Sequence, residues 1–334
     1  MSLKAPFVWH GGKSRAASLI WERLGDVEVF NDPFVGSCSI LLQRPHDMAE
    51  RRRSETINDA DGHLCNVWRS IQMSPKATAK AADWPVIHAD LTARHAHLIK
   101  RLPDMLPQLR ADPKFHDPEL AGWWIWGCCL WIGDGWCKSK SGQIPALSTA
   151  GQGVHSDGVR KGTIPHLGNA GRGIHGDSVR NVARERKLAG VAATENVTMS
   201  VYDWFAALSE RLRGVRIVNG DWSQILGSGA VQCVLNCYPK SAHAGIVLDP
   251  PYDGYEDTYG SDGKPARDSY EWALANGDDP RLRIAYCAYD GQFTFPDGWE
   301  CVYWKAKGGY QADTTRERIW FSPHCLGGKQ RSLF

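Results

Sequence analysis

Four residues near position 250 combine a carboxylate, two rigid prolines and an aromatic ring. Asp249, Pro250, Pro251 and Tyr252 directly follow the apolar run GIVL at 245–248. Proline lacks a backbone N–H and fixes its φ angle, so the two prolines hold the neighbouring side chains in an extended turn. Oxygen acceptors beside an aromatic face suit a flat ring that carries an amino group. An ordinary surface turn is the alternative, but the four residues together favour a binding site for such a ring.

A second group of residues with binding chemistry lies near the N-terminus. The segment FVWHGGK at 7–13 places the aromatic ring of Trp9 and the charge of Lys13 around two glycines. Glycines allow a ligand to approach the backbone closely, while the ring and the charge suit an adenine or a carboxylate. The spacing of a Walker phosphate loop is absent, which excludes that interpretation.

Acidic residues follow four of the strands that the sequence predicts. Asp32, Asp59, Asp221 and Asp249 come at or just after the ends of the first four apolar runs. The carboxyl ends of parallel strands share one edge of a sheet, where ligands bind in α/β proteins, so we expect these carboxylates to lie close together. Helical patterns at 13–24, 62–72 and 201–212 lie between strands and predict an α/β fold. The predicted strands are 27–30, 55–57, 215–218, 245–248, 282–287, 300–304 and 318–321.

The alternation of strands and helices breaks between about residues 84 and 190, a span too long for an ordinary connection. It contains a tandem repeat, in which residues 142–161 match residues 162–181 (GQIPAL against GTIPHL, AGQGVH against AGRGIH). Two copies are too few for a solenoid. Two interpretations stay open: a duplicated Gly-rich loop that presents His and Arg twice, or two packed turns whose His-x-Asp pairs bond each other.

The positive charge of the chain is concentrated in this span. The net charge is only +2, but residues 136–190 contain nine Lys or Arg against three acids. Such a local excess predicts a surface that binds a polyanion, with a solvated basic loop as the alternative.

Composition limits the remaining classes of function. The ten cysteines show neither paired CxxC metal spacing nor the framework of a small disulfide-rich domain, so no metal site is predicted. No apolar run reaches the length of a membrane span, and the N-terminus has no signal-peptide core. We therefore expect a cytoplasmic protein with no membrane contact.

The motifs in this order resemble the Dam-type (D12 class) adenine-specific DNA methyltransferase family. The shared features are the Trp-x-Gly-Gly-Lys box at 9–13, the acidic-Pro-Phe-x-Gly loop at 32–36, an acidic second strand, an inserted region and Asp-Pro-Pro-Tyr. The resemblance covers nearly the whole chain. One departure is Cys38, which stands where the family's loop usually has a second glycine.

The resemblance implies a Rossmann-like class I methyltransferase sheet with an inserted target-recognition region. Residues 1–84 and 190–334 would form a discontinuous catalytic domain that uses S-adenosylmethionine, and residues 85–189 would bind double-stranded DNA. The implied enzyme transfers a methyl group to the exocyclic N6 of adenine after flipping the base out of the duplex.

The resemblance also implies roles for individual residues. The catalytic residues that receive the target adenine would be Asp249, Pro250, Pro251 and Tyr252. The residues that bind the cofactor would be Trp9, Lys13, Asp32, Phe34, Gly36, Asp59, Asp221, Trp222 and Asp249. The residues that bind DNA would be Lys138, Lys140, Arg160, Lys161, Arg172 and Arg180.

Three other functions fit the same motifs. A cytosine-N4 methyltransferase or an RNA adenine methyltransferase would present similar acceptors to an amino group. A catalytically inactive DNA-binding protein could keep the same scaffold. The aspartate that begins the Asp-Pro-Pro-Tyr motif, together with the Trp-x-Gly-Gly-Lys box, favours adenine in DNA.

Overall fold

The computed structural model describes residues 3–7, 9, 11–45, 53–131, 136–137, 200–227, 229–251, 264–303 and 317–327. The chain divides into two compact units. The first comprises Met1–Ala5, Trp9–Asp61 and Gly214–Phe334, and the second comprises Pro6–Val8 and Gly62–Arg213. The predicted domain boundaries at 84/85 and 189/190 stay predictions. The tandem repeat at 142–181 lies outside the described residues.

The secondary structure of the described residues follows the predicted alternation of strands and helices. The strands are β1 (Val29–Asp32), β2 (Ser54–Asp59), β3 (Val215–Asn219), β4 (Ala244–Leu248), β5 (Leu282–Tyr289), β6 (Glu300–Tyr303) and β7 (Glu317–Phe321). The helices are α1 (Ala17–Leu24), α2 (Ser39–Leu42), α3 (Gly62–Met73), α4 (Pro75–Ala82), α5 (His88–Ala111), α6 (Pro118–Leu130), α7 (Val201–Leu212), α8 (Ser223–Leu226), α9 (Ala230–Leu235) and α10 (Lys264–Asn276).

The described strands form one seven-stranded sheet in the order β3-β2-β1-β4-β5-β7-β6. Strands β1 to β5 are parallel, whereas β7 runs antiparallel to both β5 and β6. The α/β prediction is confirmed, and this mixed sheet is consistent with a methyltransferase fold. The strand order reverses between β1 and β4, which is the kind of position where α/β sheets bind ligands.

All seven predicted strands are confirmed to within two residues at each end, and β1 is displaced as a whole. Strand β1 begins at Val29 and ends at Asp32, two residues later than predicted. Asn31 pairs with Ile246 of β4, and Asp32 pairs with Ile57 of β2. The apolar pattern missed this shift because two polar residues are buried inside the ladder.

The core of the first unit lies against β4 and β5. Every residue of β4 is buried, as expected for a strand covered on both faces. Ile246, Leu248 and Tyr286 pack in one apolar cluster with Trp320 of β7. The Tyr286 hydroxyl donates to the carbonyl of Ala266 at 2.7 Å, so its polar atom is satisfied within the core. This packing makes β4 a rigid support for the residues that follow it.

The second unit contains helices α3 to α7. Residues 123–130 (WWIWGCCL), a tryptophan-rich stretch for which the sequence pattern predicted neither a helix nor a strand, belong to α6. Asp117 caps this helix by accepting hydrogen bonds from the N–H groups of Glu119 and Leu120. The Arg94 guanidinium lies 4.6 Å from the ring centres of both Trp84 and Trp126, a cation–π arrangement inside the unit. No helix of the described residues is long and apolar enough to span a membrane.

Candidate functional site

The predicted acidic residues lie at the carboxyl ends of the parallel strands. Asp32 is the last residue of β1, and Asp59 is the last residue of β2. Asp249 directly follows β4, and Asp221 comes two residues after β3. The predicted edge of the sheet therefore carries all four carboxylates. Because β1 pairs with both β2 and β4, Asp32 lies on the central strand of the three.

Lys13 and Asp249 form a buried ion pair at this edge. The Lys13 Nζ lies 2.9 Å from Asp249 Oδ1 and also donates to the carbonyl of Gly11 at 3.0 Å. The Lys13 side chain is 3% exposed and that of Asp249 is 18% exposed. Burial lowers the pKa of Lys13, but the charges of Asp249 and Glu317 outweigh burial and leave this pKa raised. Lys13 is thus a fixed cation that keeps Asp249 in place.

Gly36 connects Trp9 with Asp59. The Gly36 N–H donates to Asp59 Oδ2 at 3.1 Å, and its φ of 46° lies in the left-handed region. A Cβ at this position would lie 2.5 Å from the Trp9 Nε1 atom. The other carboxylate oxygen of Asp59 accepts from the N–H of Asp61 at 3.0 Å. Only glycine accommodates both the backbone angle and the indole, so Gly36 sets the position of two predicted cofactor residues.

Cys38 adopts a backbone conformation that favours glycine. Its φ is 55° and its ψ is 21°, and its side chain is fully buried at the start of α2. A left-handed conformation costs a residue with a side chain about 1–2 kcal/mol. The left-handed backbone at Cys38 explains why glycine is common here in the family that the sequence resembles, because glycine adopts this conformation without strain.

Phe34, Trp222 and Asp221 have local structural partners. The rings of Phe34 and Trp222 are stacked with centroids 6.3 Å apart, and Trp222 belongs to the apolar cluster of the first unit. Asp221 Oδ1 accepts from the N–H of Ser223 at 3.0 Å, within the turn that begins α8. These three predicted residues therefore stabilise the loop after β3, and their contact with a cofactor stays a prediction.

Asp32 is the most isolated carboxylate of the site. Its side chain is 3% exposed, and its Oδ1 has no hydrogen-bond partner among the described residues. Burial raises the pKa of Asp32 well above its usual value, and the nearby charges of Asp249 and Asp59 raise it further. A hydrogen bond from the backbone N–H of Phe34 acts in the opposite direction.

Two asparagines that sequence reasoning did not assign to the site hold its loops together. Asn58 Nδ2 donates to the carbonyls of Pro33 at 3.0 Å and Gly220 at 3.1 Å. Asn219 Nδ2 donates to the carbonyls of Asp59 at 3.1 Å and Ala60 at 3.2 Å. Both are buried, and their position at the ends of β2 and β3 is the signal that would have identified them.

Glu317 is a further residue that the motifs did not reveal. It begins β7, and its charge acts on both Lys13 and Asp249. Burial raises the pKa of Glu317, Lys13 lowers it and Asp249 raises it, with a net increase. No sequence spacing connects Glu317 with the motifs, because β7 follows them by many residues and is placed in the sheet by its antiparallel pairing with β5.

Several predicted site residues fall outside the part of the chain that the structure describes. Among the catalytic residues this applies to Tyr252, whereas Asp249, Pro250 and Pro251 are described. It also applies to the whole predicted DNA-binding set: Lys138, Lys140, Arg160, Lys161, Arg172 and Arg180. Within the described residues, no group of three or more His, Cys, Asp or Glu could hold a metal ion.

A comparison with family models agrees with the motifs. Residues 9–101 match the D12 class N6 adenine-specific DNA methyltransferase family. The match covers less than half of the chain and includes Trp9, Lys13, Asp32, Gly36 and Asp59. It confirms the resemblance over that segment and supports a DNA adenine methyltransferase enzyme with DNA as its substrate. A search of curated proteins found no match.

Proposed function

We propose that this protein transfers the methyl group of S-adenosylmethionine to the N6 amino group of adenine in double-stranded DNA. The observation that carries this proposal is the buried Lys13–Asp249 pair at the end of β4. It gives the Asp-Pro-Pro motif an oriented carboxylate at the point where the strand order reverses. The family match over residues 9–101 contains the lysine of this pair.

The strand order supports a Rossmann-like class I methyltransferase sheet. From β1 the chain moves outward to β2 and β3, and from β4 it moves outward to β5 on the other side. In doubly wound sheets, dinucleotide-like ligands bind in a crevice at such a reversal of strand order, which in this proposal lies between β1 and β4. In this proposal residues 85–189 form the inserted target-recognition region.

Three of the described residues fit S-adenosylmethionine. Gly36 allows the Trp9 indole to lie against the backbone, where a Cβ would be 2.5 Å from Nε1, and Asp32 offers a buried carboxyl oxygen without a partner among the described residues. Asp59 ends the second strand, where a carboxylate commonly binds ribose hydroxyls. The residues proposed to hold the cofactor are Trp9, Lys13, Asp32, Phe34, Gly36, Asp59, Asp221, Trp222 and Asp249. When bound, the cofactor supplies an electrophilic methyl group.

The proposed mechanism uses Asp249 and Pro250 as acceptors. The lone pair of the adenine amino group is delocalised into the ring, which makes this nitrogen a weak nucleophile. Hydrogen bonds to the Asp249 carboxylate and the Pro250 carbonyl favour a more tetrahedral nitrogen and free its lone pair. The Lys13 ammonium lies 2.9 Å from Asp249 Oδ1, so the acceptor carboxylate is held in position. Base flipping costs about a few kcal/mol, part of which stacking on Tyr252 would offset.

Methyl transfer from tritiated S-adenosylmethionine tests the proposal directly. Unmethylated DNA and total RNA are incubated with the protein and digested, and their nucleosides are separated. We expect label in N6-methyladenine from DNA. Label in N4-methylcytosine or in RNA would instead support one of the two rival enzymes, and cofactor binding without transfer would favour an inactive DNA-binding protein.

Tyr252 is expected to contribute stacking energy. Stacking of a base on an aromatic side chain contributes about 1–3 kcal/mol. Tyr252→Ala should therefore lower the rate of methyl transfer by roughly tenfold to a hundredfold. Tyr252→Phe, which keeps the ring, serves as the matched control. Single-turnover rates that are equal in the alanine variant and the unaltered protein would remove the stacking role.

The basic residues of the insert are expected to contact phosphates. Replacing Lys138, Lys140, Arg160 and Arg180 together by alanine should flatten the salt dependence of DNA binding by about one unit of slope for each lost contact. A control that removes the same charge elsewhere combines alanines at the exposed residues Lys76, Lys80, Lys100 and Lys240. An equal slope in both variants would contradict the assignment of the insert as the DNA-binding surface.

A further inference from the structure

We propose that Asp32 is a neutral carboxylic acid before the cofactor binds and releases its proton when the positively charged cofactor arrives. Cofactor binding and proton release would then be coupled. This inference rests on the proposed cofactor site, and it concerns the charge state of one buried side chain within that site.

The surroundings of Asp32 disfavour a negative charge. The residue is nine-tenths buried or more, and this burial outweighs the hydrogen bond from the backbone N–H of Phe34, which alone would favour the charged form. Its Oδ1 has no hydrogen-bond partner among the described residues. Taking a carboxylate out of water without a compensating cation costs far more than taking out the neutral acid, so such groups bind a proton.

The neighbouring ionisable groups act in the same direction. Asp59 ends the strand on one side, Asp249 follows the strand on the other side, and both add negative charge beside Asp32. Cys287 of β5 also interacts with Asp32, and burial keeps the pKa of that thiol high, so it stays neutral. Asp249 is itself paired with a cation, because Lys13 Nζ lies 2.9 Å from its Oδ1. Asp32 therefore has the carboxylates of Asp59 and Asp249 as neighbours, and the charge of Lys13 is paired with Asp249.

A cationic ligand reverses this balance. S-adenosylmethionine carries a sulfonium and an ammonium group, and a positive charge within a few ångströms favours the ionised carboxylate. The proton of Asp32 then passes to the solvent buffer, and the carboxylate remains as the partner of the cation. Each proton released makes the affinity rise by about tenfold per pH unit, over the range where the free site holds the proton and the bound site does not.

Titration calorimetry of the full-length protein measures this coupling without any turnover. S-adenosylmethionine is titrated at one pH near neutrality into phosphate and into Tris, which differ in their ionisation enthalpies. The dependence of the observed enthalpy on the buffer gives the number of protons released. We expect about one proton for the unaltered protein and near zero for Asp32→Asn, which copies the shape of the neutral acid. Asp104→Asn, at an exposed position of the second unit, should keep the full release.

The same titration with S-adenosylhomocysteine identifies the cation. This product lacks the sulfonium charge but keeps the ammonium group. If S-adenosylhomocysteine binds without proton release, the sulfonium is the partner of Asp32. If it still causes proton release, the partner is the ammonium group. Both results support the coupling.

Stability in the absence of cofactor provides a second test. Because the pKa of Asp32 is raised in the folded state, its stabilising effect is present at low pH and is lost as the pH rises. Asp32→Asn does not titrate, so the melting temperature of this variant, relative to that of the unaltered protein, should increase as the pH rises above about 4, the ordinary pKa of an aspartate. A constant difference over this range would overturn the neutral state of Asp32.

The outcomes separate this inference from the proposed function. Binding without proton release, or equal release in the unaltered protein and Asp32→Asn, overturns the coupling alone. No binding of S-adenosylmethionine overturns both the coupling and the proposed cofactor. If Asp32→Asn does not fold, the proton count of the unaltered protein still decides, because a count of zero overturns the coupling.

Discussion

Replacing Asp249 by asparagine is expected to lower the rate of methyl transfer by about a hundredfold to a thousandfold. Asparagine keeps the size of the side chain but removes the negative charge that accepts from the adenine amino group. It also leaves Lys13 facing an amide in place of a carboxylate 2.9 Å away. The charged acceptor and its orientation are lost together, so the effect should fall on the chemical step.

Single-turnover rates with saturating cofactor and DNA measure this effect. Asp278→Asn is the matched control, because it removes the same charge from an exposed position of the same compact unit. The control should keep the rate of the unaltered protein. An Asp249→Asn variant with near-normal turnover would end the assignment of Asp249 as the acceptor.

Asp249→Ala tests the stability of the pair separately from catalysis. The alanine leaves the buried Lys13 ammonium without its closest carboxylate, which should lower the free energy of unfolding by about 1–3 kcal/mol. Adding Lys13→Met removes the unpaired charge, so the double variant should recover stability but not activity. Denaturant unfolding measures the first quantity and methyl transfer the second. Additive losses of stability in the two single variants would contradict a direct coupling.

Gly36→Ala is expected to weaken cofactor binding by about tenfold or more, which corresponds to about 1.4 kcal/mol. The new Cβ would lie 2.5 Å from the Trp9 Nε1, so the indole must move. A φ of 46° also strains any residue with a side chain. The N–H that orients Asp59 at 3.1 Å would shift with the backbone. Two residues of the proposed cofactor site are therefore disturbed by one methyl group.

Titration with S-adenosylmethionine measures the loss of affinity in Gly36→Ala. Gly214→Ala is the control, because among the described residues no atom beyond the two chain neighbours lies within 4 Å of the Cβ position there. The control should bind the cofactor as the unaltered protein does. Equal affinities of the two variants for the cofactor would contradict a role of Gly36 in positioning residues that bind it.

Local patterns were sufficient to locate the seven strands, because most of them contain a short run of apolar or β-branched residues. They failed at the boundary of β1, where Asn31 and Asp32 are buried inside the sheet. They also left the tryptophan-rich stretch of α6 without an assigned structure. An apolar run that is covered on all sides lacks the periodicity that distinguishes a helix from a strand.

The sequence by itself determined the α/β class of the fold, the order of the motifs along the chain and the carboxylates at the strand ends. These features depend on residues close in sequence, whose spacing is visible without a fold. Only the tertiary structure decided which of the site residues contact each other. Lys13 contacts Asp249 at the end of β4, the strand that pairs with β1. Strand β7 pairs antiparallel with β5, and its first residue, Glu317, interacts electrostatically with Lys13. The isolation of Asp32 likewise depends on burial and on charges contributed by neighbouring strands, and no local pattern encodes either quantity.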